Sequence, residues 1–199
     1  MSETATAPTS IRRLDTKDAT RLARLVMAYD DLQTVLRCCE RLMTMLDGEE
    51  SADDVGVEAL WTLALLSYAR GFAEGEGGAA LTTKDLTGGD DDGEILRWHR
   101  VLLHLRDQHA DQLRNPRESY TVGIAQDASG AVNAVAVTSA RAPLVDSAAV
   151  RRAGALAFPL CAVLDERIDP LQKDILADMR NIGREQLERL HLVEVAAVT

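Results

Sequence analysis

Arg106, Asp107 and His109 stand within four consecutive positions of the stretch ILRWHRVLLHLRDQHADQLRNPRE (residues 95–118), and His99 precedes the arginine by seven positions. These residue types offer acid–base work beside a phosphate. An imidazole exchanges protons near neutral pH, and a guanidinium keeps its charge and matches phosphate oxygens with a fork of donors. His109 lies one helical turn beyond Arg106 on the same side, so the two can share a pocket. At about 100° per residue, Ile95, Leu96, His99, Leu102, Leu103, Arg106, His109, Ala110 and Leu113 fall in one stripe with Arg106 near its centre. A guanidinium there needs partners for its donors, because burying it without them is costly. The plain structural alternative is an arginine that pairs with a carboxylate or carbonyls, or that snorkels to the rim. His99, His104 and His109 recur every five residues, which turns successive rings by about 140° and rules out chelation of one metal from one helix, where i, i+4 spacing is needed. His104 points away from the stripe. Nothing in the chain calls for a metal or a cofactor.

The elements that must position these residues come from the composition. The chain has 199 residues, 46% hydrophobic and 27% charged, with two Trp, three Tyr and two Phe, which describes a helix-rich protein with a Leu, Val and Ala core. Its net charge of −10 argues against strong nonspecific binding to nucleic acid or anionic membranes. Residues 95–118 are a local exception, with five Arg against three acids, a basic island that suits a phosphate-bearing partner or simply balances the surface. Cys38, Cys39 and Cys161 are too few and too badly spaced for a disulfide framework or a zinc site, and read as reduced core thiols. No run approaches 18 apolar residues and the first ten lack the marks of a signal peptide, so a cytoplasmic protein without a membrane span is expected.

Residues 1–14 read as a disordered leader. A long helix is predicted from Asp15 or Thr16, with Leu22, Leu25, Tyr29, Leu32, Leu36, Cys39, Met43 and Leu46 in alternating steps of three and four, and Val26, Val35 and Leu42 widening that seam into a bundle face. Residues 53–73 form a second helix, apolar almost all round and therefore central, in which Trp61 and Tyr68 need partners for their polar ends. Residues 71–94 are glycine-rich and acidic and read as a mobile loop. No Gly-Lys-Ser/Thr follows to make a phosphate-binding loop, and the consecutive Asp90, Asp91 and Asp92 lack the alternate spacing of a calcium loop. The third helix, 95–114, ends before Asn115-Pro116. Residues 120–126 and 131–139 are β-branched runs around Asp127-Ala128-Ser129-Gly130, a β-hairpin. A helix from Asp146 to Leu164, kinked at Phe158-Pro159, and a last helix from Asp169 to Leu190, opened by Pro170, complete the chain.

No Gly-x-Ser-x-Gly elbow is present. The order Trp61, Ser67-Tyr68-Ala69-Arg70-Gly71-Phe72, a glycine-rich loop with Leu81, His99-Arg100, Leu105-Arg106-Asp107-Gln108-His109 and Asn115-Pro116-Arg117-Glu118 resembles uncharacterised bacterial proteins of the HEPN-like class over residues 52–118. The resemblance implies a compact helical bundle, often dimeric, whose active members are metal-independent ribonucleases of toxin–antitoxin and phage-defence systems. Their arginine is followed four to six residues later by a histidine. Arg106 matches that arginine and Asp107 the polar residue after it, but Asp111, Gln112 and Leu113 stand where the histidine belongs, and His109 comes one position too early.

The expectation is thus a mainly α protein: an antiparallel helical bundle, HEPN-like over residues 15–118, with a β-hairpin and two further helices over 119–199 packed on it. Functionally it is expected to be a non-catalytic HEPN-like interaction protein, with a protein partner or RNA. A residual ribonuclease using Arg106 with His109 or His99, and an oligomeric assembly protein built on the first helix, are the alternatives. The apolar surfaces of the first and last helices suggest a homo-oligomer.

Overall fold

The computed structural model describes residues 10–48, 54–75, 78–87, 93–111, 114, 118–141 and 143–193. The fold is mainly helical with an antiparallel two-stranded hairpin, as the periodicities imply. Helix α1 spans Lys17–Leu46, and the Thr16 hydroxyl caps it by accepting from the Ala19 amide at 3.1 Å. Its centre is the row Leu25, Ala28, Leu32, Val35, Cys39 and Leu42, all buried. The flanking Leu22, Tyr29, Leu36 and Met43 are only partly covered. The seam is rotated from the expected one because α1 is packed on two sides, by α2 (Asp54–Gly71) and by α5 (Ser147–Arg180). Both run antiparallel to it. Arg70 and Ala73 reach Asp31 and Arg24, while Cys161 meets Gln33 and Gly154 lies against Cys39. Leu25, Leu32 and Cys39 of the seam that suggested an oligomer through α1 are therefore buried within the chain.

Helix α5 corrects the expectation of two helices broken at the prolines. It runs unbroken through Pro159 and Pro170 and ends at Asn181. The prolines are three turns apart on the solvent face, and Ala155 and Glu166, whose carbonyls lose a partner, are exposed, so water can satisfy them. The opposite face, Val150, Ala153, Ala157, Leu160 and Leu164, is buried. An 18-residue window of α5 has a mean hydropathy of 1.3, long and apolar enough by composition to cross a membrane; here its apolar side packs on α1. After Gly183 the short α6 (Arg184–Glu188) follows.

Two further expectations are corrected. Residues 10–14 are not a disordered leader: β1 (Ile11–Arg12) pairs antiparallel with β4 (Leu192–Val193), and Arg12 donates to the Glu188 and Leu190 carbonyls at 2.9 and 2.7 Å. The glycine-rich stretch is packed over residues 79–87. Ala80 and Leu81 are buried, the Leu81 amide returns to the Gly71 carbonyl, and α3 (Thr83–Thr87) follows. Asp85 holds this segment. It accepts from the Thr82 amide and from Arg167, which also donates to the Ala80 carbonyl at 2.7 Å. Burial would raise the Asp85 carboxyl, but Arg167 and Thr82 outweigh it and hold the acid below its ordinary range. Asp90–Asp92 lie outside the described residues.

Helix α4 (Gly93–Ala110) lies against α2, with Leu102 buried and Trp98 under the Arg152 guanidinium of α5 at 4.7 Å. The hairpin, β2 (Glu118–Gln126) and β3 (Val132–Arg141), has the expected turn. The Asp127 carboxylate accepts from the Ser129 and Ala131 amides, and Gly130 takes φ +86°, a conformation glycine adopts without strain.

Two measurements check this packing. Leu32→Ala, at a fully buried point between α2 and α5, is expected to cost about 2–5 kcal/mol in urea unfolding. Because the folded-state Asp85 pKa is depressed, its contribution is present above the unfolded value of about 3.9 and disappears as pH falls through the lower folded value. The stability gap between the wild type and Asp85→Asn should accordingly shrink below about pH 4.

Candidate functional site

The four residues singled out by their chemistry lie on α4, and the helix separates them. His99 faces α2 and is 4% exposed. Its Nδ1 lies 3.0 Å from the Tyr68 hydroxyl, and its ring meets Phe72 in a tilted contact with centroids 4.5 Å apart. Burial, followed by the charge of Arg100, holds its pKa below the ordinary histidine value, and burial pushes the Tyr68 hydroxyl up. A neutral imidazole with one nitrogen held by a buried phenol is a core hydrogen bond joining α2 to α4. It supplies the partner that the polar end of Tyr68 requires.

Arg106 is two turns farther along, about 10 Å up the helix axis from His99, so the two do not act on one atom. Its side chain is 37% exposed rather than buried at the centre of a face. The stripe is covered mainly at His99 and Leu102, and the helix emerges from the bundle beyond them. Asp107 Oδ1 lies 2.8 Å from Arg106 Nε, yet it is not aligned to accept. That shielded Nε therefore has no hydrogen-bond partner among the described residues. Asp107 is exposed and His109 half-buried one turn on, while His104 is exposed as expected. Gln112 and Leu113 lie outside the described residues, as do Asn115 and Pro116. What this end of α4 offers is a partly sheltered cation next to an imidazole and a carboxylate.

A second polar feature was not legible in the sequence. A groove of about 650 Å³ runs between α1 and the segment after α2, with Arg24, Asp31 and Arg70 in its walls. The Arg70 Nε donates to both Asp31 oxygens, at 3.0 and 3.1 Å, and its Nη2 to Ser67 Oγ at 3.2 Å, while Arg24 donates to the Ala73 carbonyl at 2.8 Å. These charges tie α1 to α2. Arg70 lay inside the motif that carried the HEPN-like resemblance, but no spacing rule marks Asp31, 39 positions away, as its partner.

Among the described residues no three His, Cys, Asp or Glu side chains gather as a metal would require. The cysteines are buried and unpaired, with burial raising the Cys39 thiol to about 11, so none is a ready nucleophile.

The feature most unlike a finished surface is the hairpin. The register sets Val122 opposite Val137 and Ile124 opposite Val135, so these four and Tyr120 share one face, every one of them 63–71% exposed. The other face carries Thr121, Gly123 and Ala125 opposite Thr138, Ala136 and Ala134. The hairpin meets the helices mainly at its base, where Arg141 lies 3.8 Å from Asp54.

Comparison of the chain with protein-family models, curated proteins and solved structures returns no match.

The buried His99 gives a pH signature. Its folded pKa is lowered, so as pH falls the unfolded chain protonates first, near pH 6.5, and native stability declines from there until the folded-state pKa is passed. Denaturant midpoints between about pH 7.5 and 5.5 should fall more steeply for the wild type than for His99→Gln. Tyr68→Phe, which strands the His99 nitrogen, should cost about 1–3 kcal/mol at pH 7.5.

Proposed function

We propose that this chain is a non-catalytic, HEPN-like intracellular interaction protein of a bacterial stress, toxin–antitoxin or phage-defence system, which acts by holding a macromolecular partner. The observation that carries the reading is the hairpin, an apolar sheet face left open to solvent beside a packed helical core. Soluble monomers seldom expose contiguous apolar patches of this size without using them in binding. The state of the α4 residues supports the non-catalytic half. His99 is engaged in the core with a lowered pKa, and Arg106 stands apart from it. The family spacing leaves Arg106 without the histidine that active members use.

A residual metal-independent ribonuclease is the second reading, and one observation favours it. The Arg106 Nε, ion-paired with Asp107 at 2.8 Å, has no aligned hydrogen-bond acceptor among the described residues and lies one turn from His109, an arrangement in which a phosphate could take the place of the carboxylate.

Incubation of purified wild type and Arg106→Ala with mixed cellular RNA in the presence of a metal chelator separates the two. The non-catalytic reading expects no cleavage by either protein. Cleavage by the wild type alone, with both proteins equally folded by circular dichroism, would sink it and make His109 the next residue to replace.

A further inference from the structure

Helix α2 is also unfinished. The sequence places it at the centre of the bundle, and Val57, Trp61, Ala64, Leu65 and Tyr68 are indeed buried. The opposite side is not covered: Val55 is 69%, Leu63 42% and Leu66 41% exposed, with Ala59 exposed between them. At about 100° per residue these four make a stripe about 80° wide. Among the described residues the hairpin face and the α2 stripe are thus both left open, beside scattered exposed residues such as Met27 and Phe158.

Resting on the interaction reading above, we infer that the partner of each surface is the other surface on a second copy of this chain. The hairpin of one protomer lies across α2 of its partner and the exchange is reciprocal about a two-fold axis. Size argues for the match. From Val55 to Leu66 the stripe is about 16 Å long, and from Tyr120 to Ile124 the hairpin face is about 13 Å long. Charge argues for a like copy. Residues 119–126 and 132–140 contain no charged side chain, in a chain of net charge −10. The hairpin is therefore the place where two acidic copies can approach without opposing carboxylates. An acidic or basic partner would find no complementary charge along it.

The strand edges point the same way. Free edges are ordinarily protected by charges or proline, and neither strand carries any between its end residues. A two-stranded hairpin is marginal in water by itself and needs a surface to pack on. Tyr120, Val122, Ile124, Val135, Val137 and Val132 together with the α2 stripe present roughly 800 Å² of apolar surface per chain, the scale of one side of a stable interface. The Arg141–Asp54 pair holds the base of the hairpin at the start of α2, so on each protomer the two surfaces lie next to each other and one two-fold axis can serve both.

The full chain is examined by light scattering on a sizing column at about 50 µM, where a standard interface is saturated. Dimeric wild type, with Ile124→Asp/Val137→Asp and Leu63→Asp both monomeric and helical by circular dichroism, is expected. Val122→Cys and Leu63→Cys proteins, incubated with a short bismaleimide, should give a covalent dimer only when mixed. A monomeric wild type overturns the exchange but leaves the interaction reading to a different partner, whereas RNA cleavage would remove that reading independently. A dimer that survives the hairpin or α2 substitutions, or a Val122→Cys protein that links to itself, also overturns the exchange.

Discussion

Burial of α1 between two antiparallel helices is the constraint on which the rest of the molecule depends. Leu32 and Leu42 are completely removed from solvent, and Val35 nearly so. No single neighbour covers such a helix on both sides, so α2 and α5 must both be in place. Because α5 comes from the far end of the chain, the bundle closes only when residues 147–180 return to α1. The C-terminal part of the protein is thus core and not an appendage.

Around this apolar centre a small set of polar ties fixes the remaining pieces. Arg70 and Asp31 join α2 to α1 with both carboxylate oxygens engaged, and Arg167 and Asp85 clamp the α3 segment onto α5. Tyr68 and His99 set α4 against α2. Asp31 and Asp85 are largely buried, at 14% and 11% side-chain exposure, while their arginines reach toward solvent. A cation removed from either pair would strand a carboxylate whose desolvation nothing offsets. These ties account for residues that also invite a catalytic reading. His99, one of the two histidines offered as a partner for Arg106, is used in holding two helices together.

What the packing leaves over is informative. Apolar side chains that remain in the open include a group on one face of the hairpin and another along one side of α2, beside scattered single residues such as Met27 and Phe158. A random scatter of surface valines and leucines would need no explanation, but a face of alternating β-branched and aromatic residues on a lone pair of strands does.

Much of the architecture could be read without coordinates, because helix and strand periodicities are local. The Thr16 cap, the heptad steps of α1 and the alternation on either side of Asp127-Ala128-Ser129-Gly130 each reflect neighbours a few positions apart. Proline misled for the same local reason: a helix breaker is tolerated at Pro159 and Pro170 because tertiary packing directs the missing hydrogen bonds to solvent. For the candidate site, the sequence singled out Arg106, Asp107, His109 and His99 by residue type and spacing. Only the fold decided that His99 belongs to Tyr68 and that Arg106 emerges half-exposed. The amino-acid sequence determined which residues could form each face, since a side chain's direction along a helix or strand repeats at fixed intervals. Tertiary structure alone decided which of those faces are covered, because that depends on segments more than a hundred positions apart meeting in space.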